Sequence, residues 1–385
     1  MKTHTQSLTG IKPRLTKSSL GMLIGLAISG SAVAGDALKE PALKSDLAAS
    51  RMVLDVERVG SNLVAVGERG HILISADEAN TWQQALAPVR VTLTNTFFVD
   101  DQFGWAVGHD GVVLKTEDGG RNWRAVMDGN RANELMLGRA QARLAELEEA
   151  IEKAPEEQRE TLELDLEDRT YMAEDAEAFA DEGPSRPFLD VWFKDRNEGI
   201  VIGGFGLILH TTDGGETWSA WFDRIDNPSL FHLNAIARIG DQLYIAAEAG
   251  NLYRSSDWGQ SWQMLDSPYD GSFFGITGSD QGRIIAFGLR GNAFQSDDWG
   301  DSWETIDTGV DATLFSGTLL DDGSVVLVGA AGVSLHIDAS GQVLGTDRDP
   351  ARLPQSKVLV SEQKQLLIAG AHGVHAATVS GGKQQ

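Results

Sequence analysis

Thr116-Glu117-Asp118-Gly119-Gly120-Arg121-Asn122-Trp123 decides the fold, because close copies of it recur along the chain. Thr211–Trp218 reads TTDGGETW, Ser255–Trp262 reads SSDWGQSW and Ser296–Trp303 reads SDDWGDSW. A worn copy at Ser75–Trp82 reads SADEANTW, with Asn80 one place past the expected glycine. The shared pattern is Ser/Thr-x-Asp-x-Gly-x-x-Trp, and its chemistry is that of a turn. The Asp side chain accepts hydrogen bonds from backbone N–H groups a few residues on, while Gly takes a positive φ closed to most residues. The Trp opens the next strand and covers the turn with its ring. Asp77, Asp118, Asp213, Asp257 and Asp298, with Trp82, Trp123, Trp218, Trp262 and Trp303, therefore read as structural clips rather than catalytic or metal-binding groups. Repetition of one clip is how a repeat architecture builds itself.

Each clip sits in a larger repeated sentence of apolar strand, short Gly turn, apolar strand, clip and Trp strand. The two inner strands read LVAVGERGHILIS at 63–75, WAVGHDGVVLKT at 105–116 and IVIGGFGLILHT at 200–211. They read LYIAAEAGNLYRS at 243–255 and IIAFGLRGNAFQS at 284–296. Two further copies, VVLVGAAGVSLH at 325–336 and LLIAGAHGVHAA at 366–377, keep the strands and lose the clip. Three of the four Trp spacings are 41, 44 and 41 residues, the length of four short strands in a propeller blade. The prediction is an all-β chain, a seven-bladed β-propeller over residues 51–385. Its innermost strands are expected at 53–59, 93–99, 188–193, 233–239, 273–278, 314–320 and 357–361. Residues 35–50 are expected to supply an outer strand that the last blade lacks, closing the ring and leaving no open sheet edge.

The remaining spacing, Trp123 to Trp218, is 95 residues because helical sequence intervenes over 129–184. Leu137, Ala140, Leu144, Leu147 and Ile151 fall at steps of three and four, the period of a helix seam. Pro155 breaks that run and opens a second helix with Glu156 and Glu157 in its first turn. The two are predicted to pair as an antiparallel helical hairpin with 17 acidic against 6 basic residues between Arg131 and Glu182. Propeller connectivity places this insertion over the face that carries the short Gly turns. Glu68, Arg69, His109, Asp110, Phe205, Glu248, Arg290 and His372 in those turns, with Leu144 and Leu147 of the hairpin, form the candidate partner-binding face, since loops on a rigid scaffold carry binding.

Composition narrows the partners. The chain has 385 residues, no Cys and a formal charge of −24, which disfavours nucleic acid and anionic lipid. Lys2, Lys12, Arg14 and Lys17, the apolar Leu20–Ile28 and Ala32-Val33-Ala34 read as a signal peptide over residues 1–34, cleaved after Ala34. A periplasmic protein is expected. No calcium loop, P-loop, dinucleotide fingerprint, nucleophile elbow or zinc spacing occurs, so no catalytic residue, cofactor or metal is assigned.

The Gly104–Trp123 stretch, GWAVG-x-x-G-x-x-L-x-T-x-DGG-x-x-W, resembles the BNR/Asp-box propellers. Over about residues 50–380 the chain is most similar to their photosystem II stability/assembly factor group. That resemblance implies a non-enzymatic exported factor that docks on membrane protein complexes; in non-photosynthetic bacteria it implies association with RND (MMPL-like) transporters. The helical hairpin departs from the photosynthetic members. The rival readings are a glycan-binding propeller and an Asp-box glycosidase. A sialidase needs an Arg-Ile-Pro element, absent here, and a Tyr nucleophile. Tyr171 falls in the hairpin and Tyr244 and Tyr253 within strands, while Tyr269 sits on the loop face.

Overall fold

The computed structural model describes residues 36–380. The expected signal peptide lies outside them. Seven antiparallel sheets follow one another in chain order. Their first strands are Val53–Val59, Leu93–Phe98, Phe188–Phe193, Leu233–Ile239, Phe273–Gly278, Leu314–Leu319 and Gln355–Val360. We number the blades 1 to 7 by these strands. Each first strand packs on the first strand of the next blade, and that of blade 7 packs on that of blade 1, which closes the ring.

The second strand of each blade shows why the sequence folds this way. Gly104–Gly108, Gly199–Gly203, Ile284–Gly288 and Val325–Gly329 are buried along their whole length. A strand sandwiched between two neighbouring sheets has no solvent face, so it reads as an apolar run without alternation. The first strands instead mix buried and half-buried positions, as in Leu93–Phe98. Every first strand carries a β-bulge near its start, between Val53 and Asp55, Leu93 and Asn95, and the five equivalent pairs. Bulges twist a strand and re-aim its side chains.

One expectation fails. The last sheet has three strands, ending at Gly373–Ala377, and residues 36–50 form no strand beside it. That segment runs along blade 1. Arg90 N–H donates to Ala37 O, Ala42 N–H to Ala87 O, and the Gln84 side chain bonds Leu43 O and Ser45 N. Only the short turn Ala48–Ser50 reaches the last blade, with Ala48 in an apolar core shared by Val53, Val56, Leu367, Ala369 and Val374. With Lys39, Glu40, Lys44 and Asp46 in close succession, the segment lacks the alternation that would place one side on a blade.

The insertion forms two helices, α1 (Gly129–Lys153) and α2 (Glu156–Glu182). Asp128 caps α1 by accepting from Arg131 N–H at 3.0 Å. The buried positions of α1 are Gly129, Ala132, Asn133, Met136, Ala140 and Leu147. The seam is thus shifted at its base from the expected Leu137 and Leu144, both of which are only half-buried. Phe222, Ile225 and Leu230 draw that lower part onto blade 3, a contact that helix periodicity cannot anticipate.

Candidate partner-binding face and channel

The Asp clips consume their carboxylates internally. In blade 2, Thr116 Oγ1 donates to Asp118 Oδ1 at 3.0 Å and accepts from Gly120 N–H, while Asn122 N–H donates to Oδ1 and Asn122 Nδ2 to Oδ2. The same bonds recur at Asp213 with Thr217, Asp257 with Ser261 and Asp298 with Ser302. These bonds hold Asp298 down to about 2, the Ser302 hydroxyl contributing most. The fourth position of the motif is left-handed as well as the fifth: Glu78, Trp258 and Trp299 all have φ between 56° and 64°. Blade 6 has a related clip that the sequence pattern misses. There Asp338 accepts from Ser340 N–H, Ser340 Oγ and Gln342 N–H, but without the upstream hydroxyl or the Trp.

The Gly turns share one conformation. Arg69, Asp110, Phe205, Ala249, Arg290 and Ala331 are each left-handed, with φ between 53° and 58°, and each precedes a positive-φ Gly. The hairpin stands on two of these turns. Phe179 of α2 packs against Phe205 with ring centroids 5.3 Å apart, and Phe205 packs in turn on His232 at 4.7 Å. Phe205 nevertheless remains 41% exposed. Beside His109 and Asp110, a Cβ on Gly111 would meet Gly129 Cα at 2.5 Å, and one on Gly129 would meet Asp110 O at 2.6 Å. Both glycines permit that close approach. Burial raises the Asp110 carboxyl above its usual range. Glu248 accepts from His232 N–H at 2.9 Å. Arg69, Arg290 and His372 lie in turns of blades 1, 5 and 7, away from the hairpin joint.

One of the sequence candidates is not available to a partner as expected: Leu147 is 2% exposed. Leu144 is half-buried and packs against the core at the hairpin base.

A buried polar lock, invisible to periodicity, fixes the hairpin base. Asn133 Nδ2 donates to Phe179 O at 2.8 Å and Gly183 O at 2.9 Å, and Asn133 Oδ1 accepts from Arg186 Nη2 at 2.7 Å. The Arg186 guanidinium lies 4.2 Å from the Phe179 ring centroid. Burial lowers Arg186 to about 10. Arg139 of α1 adds an ion pair to Asp223 beyond blade 3 and bonds Glu146 at 2.6 Å.

The channel is lined by the first strands, and side chains at its bulges cap the backbone of the following blade. Asp55 Oδ2 accepts from Thr96 N–H at 3.0 Å, Asp190 Oδ2 from Ile236 N–H at 2.8 Å, and Ser316 Oγ from Val358 N–H at 3.3 Å. One residue earlier the donor is the side chain: Thr94 to Phe188 O, Asn234 to Phe273 O and Ser356 to Val53 O. Inner edge strands thus satisfy their free N–H and C=O groups without a further strand. Lys357 Nζ lies 2.6 Å from Asp55 Oδ1. Burial alone would lower that ammonium, but Asp55, Glu57 and Asp190 together hold it above its usual range. Burial pushes Glu57 and Asp190 each up to about 7, against the partial opposition of Lys357. The third position of the seven first strands holds Asp55, Asn95, Asp190, Ala235, Gly275, Ser316 and Lys357, a mixture in which no repeat pattern marks the capping residues.

Residues 183–349 match the model of the family described as photosynthesis system II assembly factor YCF48. The chain is a BNR-type propeller similar to the YCF48 assembly factors. Over 91 residues it is 34% identical to the photosystem II assembly lipoprotein Ycf48 of Synechococcus sp. (strain CC9902), a match covering 23% of this chain and 27% of that protein. The chain spans about a quarter of the length of that curated relative. Among solved structures, "YCF48 bound to D1 peptide" aligns with TM-score 0.57 and 17% identity, covering 87% of this chain and 97% of its own. YCF48 from Cyanidioschyzon merolae aligns at TM-score 0.56 and 15% identity, over 87% and 97%. The WD40 propeller domain of Doa1 reaches TM-score 0.56 at 10% identity, over 88% and 95%. At these identities the structural likeness establishes the propeller and nothing finer.

Proposed function

We propose that this chain is a non-enzymatic, periplasmic assembly scaffold that docks on a membrane protein complex through the helical hairpin and the Gly-turn face. An RND (MMPL-like) transporter is the partner class we favour. One observation carries the reading: the hairpin is fixed rigidly, by Asn133, Arg186 and Phe179, beside the turns of blades 2 and 3. A free hairpin would lose rotational and side-chain entropy on binding, and one already locked avoids much of that loss. The similarity to an assembly factor solved with a D1 peptide supports a protein segment as the ligand class.

The test is affinity capture of the tagged protein from detergent-solubilised membranes of its host, against a variant in which residues 129–184 are replaced by a short Gly-Ser turn. Pro184 lies close to Gly129, so the excision closes without strain on the blades. Recovery of a membrane transporter in stoichiometric amount with the intact chain, and its loss with the variant, is the expected result. Equal recovery with both would remove the hairpin from the docking site, and a partnerless preparation would overturn the scaffold reading.

A further inference from the structure

The hairpin's charge is distributed unequally between its two helices. α2 holds 12 acidic and 2 basic residues, whereas α1 holds 5 acidic and 4 basic. Two bases of α1 are turned to internal use, Arg139 on Asp223 and Glu146, and Arg143 on Asp165 of α2, while Arg131 and Lys153 pair with Glu134 and Glu149 of α1 itself. Arg169 of α2 also faces inward, on Asp165 at 3.1 Å. Arg159 bonds Ala154 O at the hairpin tip. The outer side of α2 is left without a base.

On that side, Glu157, Glu160, Leu164, Glu167, Asp168, Tyr171, Glu174, Asp175 and Ala178 fall three, four or seven residues from Leu164, Tyr171 or one another, which places them on one helix face, and all are exposed. Leu164 is 61% and Tyr171 59% exposed, and seven residues place them on one face roughly 10 Å apart along the axis. None of the six carboxylates in the row makes an ion pair among the described residues. An ordinary solvated helix mixes both signs at these spacings to gain pairs of a few tenths of a kcal/mol. Here an apolar pair is ringed by carboxylates of one sign.

Resting on the scaffold reading, we propose that the outer face of α2 docks a basic amphipathic helix of the partner protein, laid along Leu164 and Tyr171. Apolar residues one heptad apart on the partner meet Leu164 and Tyr171, and flanking Lys or Arg residues meet Glu160, Glu167, Asp168, Glu174 and Asp175. Charge complementarity sets the encounter rate and orientation, while the apolar pair supplies the contact that lengthens the complex's lifetime.

The test uses the purified protein and a labelled synthetic helix of about 18 residues, long enough to cover the row. Its Leu residues are one heptad apart and Lys residues flank them. A scrambled peptide of equal composition is the control. Fluorescence anisotropy is read across a salt series. The amphipathic peptide should bind at least about tenfold more tightly than the scrambled one, since only it matches the apolar pair. The double variant Leu164→Ser/Tyr171→Ser should lose that preference with the salt dependence unchanged. Glu167→Gln/Asp168→Asn/Glu174→Gln/Asp175→Asn should weaken both peptides and flatten the salt dependence. Both sets lie on exposed positions, and a far-UV spectrum and melting curve equal to the parent confirm that the hairpin is intact. Equal affinity for the two peptides, or no loss on Leu164→Ser/Tyr171→Ser, would overturn the proposal. Membrane capture separates it from the scaffold reading: a transporter still recovered with the Ser pair sinks this face alone. A partnerless capture by a protein that discriminates the peptides sinks only the scaffold reading.

Discussion

Ring closure at Asp55 gives the sharpest test of the energetics, because one side chain ties three blades. Its Oδ1 pairs with Lys357 of blade 7 at 2.6 Å, its Oδ2 accepts from Thr96 N–H of blade 2 at 3.0 Å, and the residue is 1% exposed. Asp55→Ala leaves a buried backbone N–H without an acceptor, which costs about 1–3 kcal/mol. It also removes the nearest counter-charge of Lys357. Breaking a fully buried pair costs about 3–5 kcal/mol, a figure to be discounted here because Lys357 is 29% exposed and Glu57 and Asp190 remain nearby. A total of roughly 3–5 kcal/mol is expected. Asp55→Asn retains an acceptor for Thr96 and should lose about half as much. Asp321→Ala, which breaks an ion pair to Lys364 with both partners more than 70% exposed, should change stability by less than about 0.5 kcal/mol. Chemical denaturation of the three variants, read by tryptophan fluorescence and far-UV dichroism together, supplies the comparison. An Asp55→Ala midpoint equal to that of Asp321→Ala would refute the argument that channel side chains, rather than a shared strand, close this ring.

Other outcomes follow from the same structure. Glu57 and Asp190 bind their protons more tightly folded than unfolded, so their own contribution to stability is full below the ordinary carboxylate range and is lost as pH rises towards about 7, opposite in sign to that of the lowered clip carboxylates such as Asp298. Glu57→Gln should flatten that decline in melting temperature between pH 4.5 and 7.5, and an unchanged slope would exclude Glu57 as a source. Ala79 takes the left-handed position of the worn clip with φ 68°. Ala79→Gly should therefore raise stability by about 0.5–1 kcal/mol, the relief of left-handed strain less the added chain entropy; a lower melting temperature would count against it. Gly129→Val has no room against Asp110 O and Pro184. Limited proteolysis should then cut within the hairpin while the propeller core stays resistant; an undigested hairpin would contradict the close-approach argument.

The repeats were legible because their physics is local. The Asp clip is closed by bonds within five residues, and an inner strand buried on both faces must be apolar throughout, so five copies of the first and seven of the second name the blade and count it. The helical insertion was legible for the same reason, as a change of period from two to three-and-a-half between Gly129 and Pro184. Less local features were not. The bulges that aim Asp55, Asp190 and Ser316 at the next blade leave no mark on a strand that reads Val-Leu-Asp or Leu-Phe-Ser. The lock of Asn133, Arg186 and Phe179 joins residues up to 53 apart, and nothing near each one forecasts its partners. Leu147 illustrates the limit: its spacing placed it on a helix seam, but only the packing of α1 against α2 decided that it faces the other helix and not a partner. What the sequence by itself determined about this protein was the repeat unit, the number of blades and the place of the insertion, because hydrogen bonds within a turn and burial along a strand are written in neighbouring residues. Only the tertiary structure decided how the ring closes, where the hairpin is fixed and which face of it stays free. Those outcomes depend on which distant groups satisfy one another's unpaired donors, acceptors and charges.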